Sequence, residues 1–342
     1  MAQNLLGTSL LYIRREMKVL VTGATGFIGS HLVPSLLKDG HEVRCLVHES
    51  ARTENLRGAS LICGDITNIK SLVDAVKDVE VVFHLAAKVQ TGFYQDADAL
   101  MKVNFQGTST LIDAVHSYDR HLQNFVYLSS AGAIGMFNSK ELVKEDVKCS
   151  PVTCYGVSKL QAENHLHHYS SLLNVPYTIV RPPTVYGPYE RYNLLLMTLA
   201  IKNRRFALIG SGSNLTSVCH VSNLVDALKL VGFIADKNQT YHVADSQPIS
   251  WNHLTELISF QASAPKPPHL PVWLCNCAAV VLESVCHATN KEPVLHQGRV
   301  HTMSNNFALD IAKIKSKGYN PKVSTELGIC QTIQWYKEQN LL

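Results

Sequence analysis

Tyr155 and Lys159 stand four residues apart in a stretch, 153–173, whose apolar spacing is helical, so their side chains share one face. Such a pair can manage a proton. A free tyrosine has a pKa of about 10 and is a poor base near neutrality. An ammonium beside it favours the phenolate and lowers that value. Ser130 ends the apolar run NFVYLSSAG (124–132) and offers a hydroxyl to orient a neighbouring oxygen. The three together suit the loss of a hydroxyl proton while a hydride leaves the same carbon, or the reverse. A Tyr-x-x-x-Lys pair alone also arises on ordinary helix surfaces, so the reading requires a hydride carrier nearby.

The elements that would position these groups begin at residue 18. KVLVT (18–22) is a β-branched apolar run of the kind found in buried parallel strands. Gly23-Ala24-Thr25-Gly26-Phe27-Ile28-Gly29 follows and leads into the helical pattern HLVPSLLKDG. Glycines between a first strand and a first helix allow close backbone approach to a pyrophosphate, which the helix N-terminus then attracts. Further strands are expected at 41–47, 59–67, 79–87, 124–132 and 176–188, and helices at 95–117 and 153–173. This alternation predicts an α/β fold, a doubly wound parallel sheet of Rossmann type. After Tyr189 the rhythm changes, with helices expected at 193–203 and 221–234. The expected organisation is an extension at 1–16, a dinucleotide-binding domain at 17–188 to which 216–245 returns, and a smaller substrate-binding domain from 189–215 and 246–342.

Composition limits the alternatives. The 342 residues are 46% hydrophobic and 17% charged, enough for a folded core without disulfides. A net charge of +4, scattered along the chain, argues against a nucleic-acid partner. Nine cysteines at irregular spacing read as free thiols in a reducing, cytoplasmic setting. Cys275-Asn-Cys277 lacks a second close pair, so no metal site is expected. The run 272–286 is too short to span a bilayer. It reads as a core or pocket-lining helix, with peripheral membrane contact as the alternative. His165, His167 and His168 read as a solvated helix face.

The chain resembles the extended short-chain dehydrogenase/reductases. The resemblance rests on the Gly-x-x-Gly-x-x-Gly turn, Asp65 in GDIT, His84-Leu85-Ala86-Ala87, the Asn104 segment, Ser130, Tyr155-x-x-x-Lys159, RPPTVYGP (181–188) and CHVSNL (219–224). It implies that Ser130, Tyr155 and Lys159 are catalytic, with Ser130 preferred over its neighbour Ser129. It implies cofactor contacts from Gly23, Thr25, Gly26, Phe27, Ile28 and Gly29 at the phosphates. Asp65 and Ile66 would lie at the adenine, and Leu85, Ala86 and Ala87 near the nicotinamide ribose. Tyr155, Lys159, Pro182 and Val185 complete the set, with Asn104 as a supporting residue. It also implies a homodimer through the helices near 95–117 and 153–173.

The residue ending the second strand commonly selects NAD or NADP. His48 stands there with Arg52 close behind, which favours NADP, while Glu49 counts toward NAD. For the substrate, Ala131-Gly132-Ala133 disfavours sugar dehydration. Thr216 stands where nucleotide-sugar epimerases of this family carry a clamping Arg, although Arg204, Arg205 or Arg299 could replace it. The C-terminal third resembles the 3β-hydroxysteroid dehydrogenase-like branch. That implies an alcohol–ketone oxidoreductase on a bulky apolar small molecule, with Trp273, Leu274 and Val280–Leu282 as a pocket wall. The alternatives are a nucleotide-sugar epimerase with tightly held NAD, a non-catalytic NADP-binding sensor or scaffold, and a lipid-surface protein.

Overall fold

Strand β1 (Lys18–Thr22) is buried at every residue but the first, and it lies next to the central strand of a seven-stranded parallel sheet. The computed structural model describes residues 16–89, 95–118, 121–233, 236–289 and 293–342. Of the expected extension, 1–15 lie outside the described residues. The other strands of the sheet are β2 (Glu42–Val47), β3 (Ser60–Cys63), β4 (Val81–His84), β5 (Asn124–Leu128), β6 (Tyr177–Arg181) and β11 (Gln239–His242). Their order is β11-β6-β5-β4-β1-β2-β3. The order reverses between β1 and β4, where ligands of such sheets bind beyond the strands' carboxyl ends. β4, β5 and β6 are buried along their whole length. Both faces must therefore be covered, as a parallel sheet with crossover helices requires.

One face is covered by α1 (Gly29–Lys38) and α5 (Val221–Phe233), which share a core with Val19, Val21, Phe83 and Val126. The other is covered by α2 (Gly107–Tyr118) and α3 (Cys154–Leu173), which pack on Leu20, Val82, Phe125 and Tyr127. Fully burying a side chain such as Leu20 contributes about 1.5–3 kcal/mol.

Strand ends differ from the sequence reading where the backbone finds other partners. β4 stops at His84, because the amide of Leu85 bonds to Thr22 and that of Ala86 to the Thr22 hydroxyl. The 176–188 run divides into β6 and the short β7 (Thr184–Tyr186), which pairs with β10 (Val218–His220). The long helix expected at 95–117 is interrupted by a π-helical segment, Met101–Gln106.

The remaining elements form separate apolar clusters. α4 (Asn193–Lys202), α6 (Trp251–Gln261) and α9 (Thr325–Glu338) share one, with Leu194, Ile258 and Ile333 buried. β8 (Leu208–Ile209), α7 (Val272–Thr289) and α8 (Gln297–Ser304) share another. β9 (Leu215–Thr216) pairs with β12 (Ile249–Ser250), and β13 (His269–Leu270) with β8. Ile311, Ile314 and Tyr319 join the core of the large sheet, so residues 246–342 do not all stand apart from it.

α7 corrects the sequence reading. It runs to Thr289 and is long and apolar enough, by length and composition, to cross a membrane. Cys275 and Ala279 are its buried residues, whereas Trp273 is 69% exposed and Val281 62%. Most of it is therefore neither core nor pocket wall.

Candidate active site

Three strand ends and one helix build the site. At the end of β1, Gly23 has φ +68°, and a Cβ there would meet the Ala86 amide at 2.6 Å. A side chain at this position would be strained and would push the turn away from the 85–87 segment. α1 begins with no side-chain cap at Ile28, and among the described residues the amides of Phe27 and Ile28 make no backbone bond. Unsatisfied donors at a helix N-terminus are what a pyrophosphate needs. The turn thus fits the group expected from the sequence.

A buried polar chain ties this turn to α3. Thr22 Oγ1 accepts from the Ala86 amide at 3.3 Å and lies 2.6 Å from His84 Nδ1. His84 Nε2 lies 2.9 Å from Thr108 Oγ1, whose proton goes to the Asn104 carbonyl at 2.6 Å. Thr108 spends its single proton on Asn104, so His84 must donate through Nε2 and accept the Thr22 hydroxyl at Nδ1. His84 is fully buried, and burial pushes its pKa down to about 3, with the Lys159 charge adding to the effect. Asn104 lies in the π-helical segment. Its amide donates to the Lys88 carbonyl and to Ser158 Oγ, both at 3.0 Å, and its oxygen accepts from the Lys88 amide at 2.7 Å. Ser158 closes the chain on the Tyr155 carbonyl at 2.8 Å. Asn104 thus joins the Lys88 backbone to Ser158 on α3.

α3 starts under a Thr153 cap that accepts from the Gly156 amide at 3.0 Å. A Cβ on Gly156 would meet the Gly132 carbonyl at 2.3 Å. The missing side chain lets the helix press on the 131–133 turn and sets the Tyr155 ring beside Ser130. Ser130 Oγ caps that turn, accepting from the Gly132 amide at 3.0 Å, and it and the Tyr155 ring both border Gly132. Ser129 faces elsewhere and donates to the buried Glu163 carboxylate. Of the two serines, Ser130 is the one beside Tyr155.

Lys159 is buried, donates to the Leu128 carbonyl at 2.8 Å, and lies 4.8 Å over the Tyr127 ring and 5.9 Å over the Tyr155 ring. Burial pushes its pKa down to about 7, opposed by the Glu163 charge. Burial raises the Tyr155 phenol to about 12, with the Ser130 contact acting the other way. The protein's own groups therefore raise Tyr155, because desolvation outweighs the Ser130 contact.

Sequence reasoning missed the pair behind this trio. Glu163 follows Tyr155 and Lys159 on the same helical face, and Arg181 closes the apolar strand YTIVR. Both are buried, and Arg181 Nε bonds to the two Glu163 oxygens at 3.0 and 3.2 Å. A charged residue at the end of a buried strand, with an acid continuing the Tyr–Lys stripe, was the available signal.

The other expected contacts are distributed unevenly. Asp65 is exposed and accepts from the Thr67 amide and hydroxyl at 2.8 and 2.9 Å, which holds its carboxyl below the usual range. The Ile66 side chain packs into the core against Gly107. Leu85, Ala86 and Ala87 are half-buried beside the glycine turn. Pro182 is buried, its carbonyl accepting from the Ala131 amide at 2.8 Å, and Val185 lines the sheet core. His48 and Arg52 are exposed just past β2. Thr216 lies in β9, while Arg204 and Arg205 are exposed after α4. Arg299 bonds to the Val294 carbonyl at 2.5 Å. His165 is not solvated as expected: it lies 2.7 Å from Ser109 Oγ and stacks on Tyr169. No metal-binding cluster occurs among the described residues.

Comparison with known proteins adds context. The model of the NAD dependent epimerase/dehydratase family matches residues 19–244. A UDP-glucose 4-epimerase of Mycolicibacterium smegmatis is 27% identical over 340 residues, covering 95% of this chain and 100% of that protein. A 4-hydroxy-2-methyl-3-oxo-4-farnesyl-3,4-dihydroquinoline-1-oxide ketoreductase of Stigmatella aurantiaca is 26% identical over 324 residues, covering 92% and 95%. Among solved structures, a UDP-glucose 4-epimerase of Thermotoga maritima with UDP-glucose matches at a TM-score of 0.76 and 24% identity, covering 95% of this chain and all of that one, which shows the shared fold.

Proposed function

Because the chain belongs to the NAD dependent epimerase/dehydratase family, we propose that it moves a hydride reversibly between a nicotinamide dinucleotide and a secondary carbinol carbon, with C4 of a nucleotide sugar as the first substrate to test. The observation that carries the reaction is the convergence of Ser130, Tyr155 and Lys159 two strands along the sheet from the uncapped glycine turn. Gly23, Gly26, Phe27 and Ile28 would hold the pyrophosphate, and Asp65 the adenine end through the oxygen that Thr67 leaves unused. When bound, the nicotinamide accepts or supplies the hydride. Tyr155 exchanges the proton with the substrate oxygen, which Ser130 orients, and Lys159 contributes a positive charge behind the ring. As an alcohol is oxidised its proton passes to the phenolate, and as a ketone is reduced the phenol returns it.

The nucleotide-sugar reading draws on the names of the relatives. A second reading, reduction of an apolar ketone, draws on Thr216, which places no charge where a diphosphate would be clamped. The farnesylated substrate named for the ketoreductase relative is of that class. His48 and Arg52 would then admit a 2′-phosphate.

One experiment separates these readings. The purified protein is denatured and the released nucleotides assayed, and the native protein is given UDP-glucose without added cofactor. Near-stoichiometric NAD(H) and inversion at C4 support the epimerase. An empty site with NADPH-dependent reduction of apolar ketones supports the second reading. Turnover of neither substrate class refutes the proposal. Cofactor binding without turnover, unchanged by Tyr155→Phe, would mark a non-catalytic sensor instead.

A further inference from the structure

Helix α7 carries an apolar face that no other described element covers. Trp273 is 69% exposed, Val280 50%, Val281 62% and Val285 55%. With Cys277 and Ser284 these positions repeat at helical spacing and form one stripe, on which no Asp, Glu, Lys or Arg stands. The opposite face is docked. Cys275 and Ala279 are buried with Ile209, Val300 and Met303, and Glu283 accepts from the Gln297 amide and side chain at 2.7 Å each. A helix fastened along one side cannot be surrounded by lipid. The geometry suits a helix lying on a bilayer rather than one crossing it.

Charge indicates which surface the stripe would meet. Lys202, Arg204 and Arg205 are exposed, and none has an acidic partner among the described residues. They adjoin α7 through the chain. Phe206 packs on the cluster beneath the helix, and β8 pairs in parallel with β13, which leads through Pro271 into α7. The carboxylates nearby are engaged, Glu256 by Lys266 and Glu283 by Gln297. An apolar strip, with unpaired cations on the chain that enters its supporting cluster, complements anionic headgroups. A second copy of the chain would bring cations of the same sign to the seam.

We propose that α7 lies flat in the interfacial layer of a membrane bearing anionic phospholipid. Trp273 and the valines enter the acyl boundary, while Arg204 and Arg205 meet the headgroups. This inference is independent of which substrate the active site takes.

The test is flotation of the full chain with vesicles of phosphatidylcholine alone and of phosphatidylcholine mixed with phosphatidylserine. Flotation with the mixed vesicles is expected, weakened by salt. Val281→Lys, at an exposed position that leaves the core intact, should weaken it at least about tenfold. Arg204→Ala with Arg205→Ala should weaken it by about twenty-five-fold, at roughly fivefold per charge. Wild-type Trp emission should shift to the blue on mixing, and Trp273→Phe should abolish the shift. A protein that ignores both vesicle types overturns the proposal, as does a Val281→Lys variant that floats like wild type. A dimer that Val281→Lys converts to monomer, with no flotation, assigns the stripe to a second copy and also overturns it.

Discussion

Ser129 and Ser130 are adjacent in the chain and serve opposite sides of the strand end. Ser129 donates to the buried Glu163 carboxylate, whereas Ser130 caps the 131–133 turn beside Tyr155. Removing each hydroxyl should therefore give different losses. Ser130→Ala should lower kcat by about 10²–10³-fold, the scale for losing one donor to a reacting oxygen, with little change in Tm. Ser129→Ala leaves a buried carboxylate one partner short and should cost about 1–3 kcal/mol of stability, with kcat within tenfold. Steady-state kinetics and thermal melts on both variants check this. Equal kinetic losses would place both hydroxyls at the substrate.

The sheet and the trio were legible because their signals are local. β1 is a continuous buried run, the glycine turn follows it directly, and Tyr155 and Lys159 share a helix face. The Glu163–Arg181 pair was harder to read, since it joins a helix to a strand end 18 residues away and charge alone does not reveal burial. The burial that raises Tyr155 was not legible, because a sequence shows that a cation is near but not how deeply the phenol is buried. α7 was misplaced for a similar reason. An apolar run reads as core unless its neighbours fail to cover it, and only Cys275 and Ala279 found cover.

Acid should destabilise the fold well above the carboxylate range. Burial lowers His84 to about 3, and His220 and His242 to about 4. The unfolded chain binds protons at these residues near 6.5, while the folded chain does not. Between pH 6.5 and about 4 the unfolded state therefore holds more protons, and stability falls as pH falls. Each histidine contributes up to about 1.4 kcal/mol per pH unit in that window. Urea unfolding at pH 7, 6 and 5 measures the slope. A midpoint that is flat across these values would contradict the buried, neutral state of all three.

His48 and Arg52 stand exposed beyond β2, where the adenosine ribose of a bound dinucleotide is expected. Arg52→Ala should weaken NADPH binding about tenfold, the loss of one charge-assisted contact, and leave NADH unchanged. His48→Asp should weaken NADPH further by placing an acid against the 2′-phosphate. Fluorescence titration with both nucleotides reads this out. If neither substitution alters the NADPH to NADH ratio, these side chains are merely solvated.

The Glu163–Arg181 pair links stability to proton handling. Glu163→Gln leaves the Arg181 guanidinium buried without its counter-ion, which should cost about 3–5 kcal/mol. Adding Arg181→Met removes the stranded charge and should restore most of that loss. The double variant can then report on Lys159. The Glu163 carboxylate opposes the burial that holds Lys159 near 7, so its removal lets the ammonium deprotonate at lower pH. Activity that depends on the ammonium is present below this pKa and lost as pH rises through it. The falling limb of the pH–rate profile should therefore begin at lower pH in the double variant than in wild type. A pair that merely braces α3 against β6 would change Tm and leave that limb in place.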